Sequence, residues 1–141
     1  MKIINSLGFQ FFIVFLIVSC QQKEKLLGKW ERYGDPLSGM IIEISNIGGS
    51  FKAEIISAPD SVQQKGFFIG DIKWRDIKKI DKNKYEYVDL KKTGIPYSEP
   101  IRFKSENGLA RLELIDDSII KTRLFAKGDE DYGTETSWKR K

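Results

Sequence analysis

A two-residue rhythm broken by turns constrains this chain more than any other feature. From Leu26 onward, apolar side chains recur at every second position over short runs, and Gly, Pro, Asn and Asp gather between the runs. Alternation of that kind places apolar groups on one face of a strand. Nowhere does the sequence hold the 3.6-residue period of a long helix. In the stretch from Met40 to Ile55, Met40, Ile42 and Ile44 alternate with Ile41, Glu43 and Ser45; Asn46-Ile47-Gly48-Gly49 makes a turn; then Phe51, Ala53 and Ile55 alternate with Lys52 and Glu54. A four-residue loop is expected here. It pairs Ile44 with Phe51, Ile42 with Ala53 and Met40 with Ile55, and sets Glu43 against Lys52, whereas a two-residue loop would set Glu43 against Glu54.

Asn107-Gly108 is the strongest hairpin signal, suited to a type I′ turn. It is expected to pair Phe103 with Leu112, Ile101 with Leu114 and Arg102 with Glu113. A third hairpin, turning at Asp116-Asp117-Ser118, aligns Leu114 with Ile120 and Glu113 with Lys121. Further strands are expected over 27–33, 72–77, 85–90 and 134–139, with loops over 58–66, 92–100 and 127–133. Phe67-Phe68-Ile69 reads as a short helical turn or a strand start. Up to nine short strands with one-sided alternation predict an all-β domain: a small antiparallel up-and-down β-barrel of about eight to nine strands, or a sandwich. Closing the barrel removes the exposed edges of an open meander.

Composition narrows the chemistry. The 141 residues contain no histidine and one cysteine, so Ser-His, Cys-His and zinc chemistries are excluded, and no disulfide forms within one chain. The net charge of +4 is scattered and forms no basic block, which argues against a nucleic-acid partner. Asp129-Glu130-Asp131 lacks the alternating ligands of a calcium loop. Asp116-Asp117 reads as turn chemistry, and Trp74, between Lys73 and Arg75, as a strand aromatic packed on its neighbours. No catalytic residue, metal or cofactor is expected, and no pair of carboxylates is recognisable by spacing.

The N-terminus sets an address. Met1-Lys2 is followed by an apolar core, solid from Phe11 to Val18, and then by Ser19-Cys20. That core is too short to span a bilayer and has the length of a signal-peptide core. The run Leu16-Ile17-Val18-Ser19-Cys20 resembles the lipobox of bacterial lipoproteins. The resemblance implies a signal over 1–19, diacylglycerol on the Cys20 thiol and cleavage before Cys20. Residues 20–26 are then the lipidated Cys and tether, and 27–141 the barrel. Gln21 is not the aspartate that retains such proteins in the inner membrane, which points to the outer membrane. Lys23-Glu24-Lys25 leaves the periplasmic face and the cell surface both open.

The ends of the barrel domain carry a second resemblance. Gly28-Lys29-Trp30 is similar to the G-x-W of lipocalins and other calycins. Gly133-Thr134-Glu135-Thr136-Ser137-Trp138-Lys139-Arg140 resembles the tail of a family of exported bacterial proteins of unknown function with a calycin-like barrel. The resemblance implies that an arginine near the last strands closes one end of the barrel over the first-strand Trp. By parity Arg140, which shares a face with Trp138, is the candidate to cover Trp30, and Arg123 ranks second. Gly28, Trp30, Trp138 and Arg140 are thus the expected closure. Met40, Ile42, Ile44, Phe51, Phe103, Leu112, Leu114 and Ile120 are expected inside, either filling the barrel or lining a narrow pocket for a small hydrophobic ligand. The expected function is a non-enzymatic, lipid-anchored envelope protein binding such a ligand. The alternative is a module that presents its loops to an envelope protein partner, as a periplasmic inhibitor or an accessory subunit.

Overall fold

The computed structural model describes residues 24–91, 101–103, 110–124 and 135–141. The signal, Cys20, the Asn107-Gly108 turn and the loops over 92–100 and 127–133 lie outside the described residues. Nine strands follow in order: β1 Gly28–Tyr33, β2 Ile41–Ile47, β3 Ser50–Ser57, β4 Ile72–Asp81, β5 Lys84–Lys91, β6 Ile101–Phe103, β7 Ala110–Leu114, β8 Ile119–Leu124 and β9 Thr136–Arg140. The helix α1, Asp60–Gln63, joins β3 to β4, in a stretch expected to be loop throughout.

Every strand pairs antiparallel with its neighbours, and the ring β1-β2-β3-β4-β5-β7-β8-β9 closes on itself through β1 and β9. The molecule is a closed eight-stranded up-and-down β-barrel of the calycin-like kind. Alternation fills it: Trp30, Ile42, Ile44, Ala53, Ile55, Trp74, Leu112, Ile120 and Trp138 point inward and are buried. The hairpin at 114–120 forms with Leu114 opposite Ile120 and Glu113 opposite Lys121. Asp116 Oδ1 holds its turn by accepting from the Ser118 and Ile119 amides.

Two registers differ from expectation. In the β2–β3 hairpin Ile44 faces Ala53, Ile42 faces Ile55 and Glu43 faces Glu54, around the two-residue turn Gly48-Gly49. Both glycines have positive φ, 61° and 84°, as a type I′ turn requires. The two registers differ by an even number of residues, so both bury the same face and turn geometry decides. The like charges are tolerated because Glu43 also faces Lys29 on β1, and Lys52 lies 3.5 Å from Glu54.

The expected β6–β7 hairpin does not form either. Phe103 pairs with Asp89 and Ile101 with Lys91, whereas Leu112 pairs with Tyr85 and Glu113 with Lys84. Both segments lie antiparallel to the single strand β5 and therefore run in the same direction. They share one place in the wall. The strand expected over 72–77 continues to Asp81 and turns at Lys82-Asn83 into β5, with Asn83 in the left-handed region at φ 61°. β9 runs from Thr136 to Arg140, two residues later at its start than expected.

The two ends of the barrel differ. At the end where β1 begins, residues 24–27 cross the opening. Leu26 is fully buried, its carbonyl accepts from Trp30 Nε1 at 2.9 Å, and the Tyr85 hydroxyl donates to the Glu24 carboxylate. The opposite end, the mouth, is bordered by the 34–39 loop, α1 and Phe67. Val62 and Phe67 pack inward there.

Candidate functional site

Arg140 stands directly opposite Trp30 in the β1–β9 pairing, and its guanidinium lies 4.2 Å from the indole centroid. It donates to the Leu27 carbonyl at 3.0 Å, to the Asp117 carbonyl at 2.5 Å and to the Lys25 carbonyl. One side chain thus binds the crossing segment, the β7–β8 turn and the first-strand Trp. Gly28 makes room for it: its φ is +122°, and a Cβ there would stand 3.1 Å from Arg140 Nη1. Arg123 lies on the outer wall, 2.6 Å from the Glu135 carboxylate. Trp138 is buried and meets Trp74 edge-on at 5.0 Å.

Met40, Ile42, Ile44, Leu112, Leu114 and Ile120 are at most 3 % exposed. They belong to one buried cluster with the three tryptophans. Phe51 is half-buried at the edge of this cluster. Phe103 belongs to β6, and its side chain lies outside the described residues.

Polar groups gather toward the mouth instead. Arg32 shares the inward face of β1 with Trp30. Its guanidinium sits 5.5 Å from the Trp138 centroid, and Nε donates to both Asp35 carboxylate oxygens at 3.0 and 2.8 Å. These are the hydrogen bonds its side chain makes among the described residues. Asp35 also caps its own turn, accepting from the Leu37 amide at 2.8 Å. Across the barrel, Lys73 Nζ donates to Asp89 Oδ1 at 2.6 Å, with Lys73 almost fully buried, and lies 5.1 Å from the Phe67 ring centroid.

Tyr87 is buried between these groups, 4.8 Å from Trp74. Burial, and then the nearby Asp89 charge, push its hydroxyl well above the usual phenol range, while Thr122 and Arg32 act in the opposite sense. The Tyr87 hydroxyl is therefore held in its neutral form. The Thr122 and Thr136 hydroxyls bond to each other, and Trp138 Nε1 donates to Thr136 at 3.3 Å. The result is a polar layer above a tryptophan floor: two cations, two carboxylates and several hydroxyls.

Sequence reasoning passed over this layer. Parity alone places Arg32 two residues after Trp30, and Asp89 two after Tyr87, on the inward face. Lys73 was hidden because β4 is irregular: its register shifts against both neighbours, and Asp76 has φ 50°. The cations of the outer wall form a separate groove of about 670 Å³ beside Lys84, Arg111 and Glu113. Two of its cations are paired, with Arg111 3.3 Å from Glu86 and Lys121 2.8 Å from Glu135. No group of three or more His, Cys, Asp or Glu able to hold a metal occurs among the described residues, and no helix among them is long and apolar enough to cross a membrane.

The fold and this layer define a class, a small calycin-like barrel with a packed apolar floor and a polar mouth. No protein-family model, no curated protein and no solved structure matches the chain.

Proposed function

We propose that this chain is a lipid-anchored protein of the bacterial envelope, sorted to the outer membrane, and that it binds a small molecule at the barrel mouth without catalysing a reaction. The lipobox at Cys20 supports the anchor. Arg32 is the observation that carries the ligand reading. Its side chain is 13 % exposed, rests on an indole and uses only Nε among the described residues. A guanidinium held this way matches an anionic group bidentately. Arg32 supplies the charge and the partly buried Leu37 and the buried Phe67 the apolar contact, so the ligand that fits this reading is a small amphipathic anion. It adds an anionic group to the small hydrophobic ligand expected from the strand pattern.

Native mass spectrometry of the mature protein, purified gently from membranes, is the direct test. A discrete bound mass that leaves on denaturation is expected. Arg32→Gln should weaken binding of a medium-chain fatty acid about tenfold or more, since a charged hydrogen bond contributes about 1.5–3 kcal/mol. A bare chain that ignores such acids refutes the reading. A second reading then leads, supported by the exposed pair Phe68 and Ile69 on the same rim: a protein-interaction module. Its test is recovery of a stoichiometric partner from solubilised envelope, lost in a Phe68→Ser, Ile69→Ser double variant.

A further inference from the structure

The barrel has two ends of different character, and residues 24–27, the described residues nearest Cys20, cross one of them. At the closed end the strands meet in four places: the β2–β3 turn, the β4–β5 turn, the β7–β8 turn, and the point where β9 ends beside the start of β1. The first three each carry one exposed isoleucine at or beside the turn. Ile47 is 64 %, Ile80 45 % and Ile115 52 % exposed. Ile80 and Ile115 also line the outer-wall groove with Lys84 and Glu113, at the part of that groove nearest these turns. The Leu114 amide bonds the Asn83 carbonyl at 2.8 Å, which holds the second and third turns side by side.

The fourth place is basic. Lys25, Lys139 and Lys141 are each about half exposed there, even though Lys25 reaches Asp117 at 2.9 Å and Lys141 reaches Glu31 at 2.8 Å. The segment 24–27 lies across this same end. Only residues 21–23 separate Glu24 from Cys20, so the Cys20 Cα stands within about 14 Å of the Glu24 Cα even with the chain fully extended. A lipid on Cys20 therefore brings this end, and not the mouth, to the bilayer.

We propose that the closed end docks on the bilayer surface, with Ile47, Ile80 and Ile115 entering the headgroup region and the lysines facing anionic lipid. The proposal rests on the lipid-anchor reading. Isoleucines on separate turns make a tripod, which fixes the barrel axis along the membrane normal and turns the Arg32 mouth away from the lipid. Interfacial insertion of this kind gains from buried apolar area and from lysine–lipid attraction together.

The experiment uses the acylated protein, whose Cys20 thiol is occupied by lipid, with single Ile47→Cys, Ile80→Cys or Ile115→Cys variants and an Ile69→Cys control at the mouth. Each carries an environment-sensitive fluorophore and is placed on vesicles of phosphatidylethanolamine and phosphatidylglycerol, with and without brominated lipid. Labels at 47, 80 and 115 should shift to the blue and lose most of their emission to brominated lipid, while the label at 69 should do neither. If all four behave as labels in water on an anchored protein, docking is overturned and anchoring stands. A blue shift without quenching by brominated lipid would reveal a protein contact, such as a second copy of this chain, and also overturns it. Mass analysis of the same preparation reads the acyl chains. If they are missing, anchoring fails, and the same labels on a Cys20→Ser chain, which has no other thiol, decide docking with the same vesicles: insertion supports it and water-like emission overturns it.

Discussion

At the scale of single residues, Arg140 and Gly28 form one unit. The guanidinium lies on the face of Trp30, bonds three backbone carbonyls and occupies the space a side chain at position 28 would need. Arg140→Ala leaves those carbonyls without their charged donor and should lower stability by about 2–3 kcal/mol. Arg140→Lys should recover only part of this, because an ammonium cannot lie flat on the indole and bond in three directions at once. Gly28→Ala combines a strained backbone with a contact against Nη1 and should cost about 1–2 kcal/mol. In the double variant Gly28→Ala, Arg140→Ala the clash disappears, so its loss should be smaller than the sum of the two single losses. Urea denaturation of the four proteins checks the cycle.

At the scale of elements, the β2–β3 hairpin shows where strand reasoning stops. Alternation located both strands and their buried faces, because side-chain direction follows from the local backbone alone. Register was misjudged because one favourable charge pair was weighed above the turn. A cross-strand pair contributes only about 0.2–1 kcal/mol, and the glycine pair at 48 and 49 fits a type I′ turn. Gly48→Asn should accordingly change stability by under about 0.5 kcal/mol, since Asn accepts positive φ. Gly48→Val should cost about 1–2 kcal/mol. Thermal melting of both variants tests the turn, and equal losses would contradict it. The β6–β7 segment failed for a different reason. Asn107-Gly108 is a local signal, but β5 offers one long edge on which both segments pair, and that edge exists only once the barrel assembles.

At the scale of the whole molecule, charge pairs tie neighbouring strands together around the barrel. Lys73 on β4 and Asp89 on β5 meet in the interior, and removing one partner leaves the other charged in a poor environment. Lys73→Met should therefore cost about 3–5 kcal/mol, and Lys73→Met with Asp89→Leu should recover much of it. Chemical denaturation of both variants measures the difference. On the wall, hydrogen bonds from Lys121 and then Arg123 hold the Glu135 carboxyl below its usual range. At the closed end Lys141 is the main cause of the same effect on Glu31. Both groups have a lower pKa folded than unfolded. Their contribution is full above the ordinary value of 4.5 and is lost as pH falls through the lowered folded values. The melting temperature should thus drop on acidification below about pH 4.5, and the drop should be shallower in Glu135→Gln and Glu31→Gln.

The sequence by itself determined the class of fold, most of the strands and the composition of the interior. Alternation, turn residues and the absence of a helical period are local properties, and each survives in isolation. Parity put Trp138 and Arg140 on one face, and the resemblance to calycins implied that Arg140 covers Trp30. The tertiary structure decided what meets what. Closure of the ring set Arg140 over Trp30, brought Arg32 onto Trp138, joined Lys73 on the irregular β4 to Asp89 on β5, and gathered three exposed isoleucines at the end that residues 24–27 cross. Those pairings depend on register, bulges and the order of strands around the barrel, which are fixed by the energy of the whole assembly and not by any segment of it.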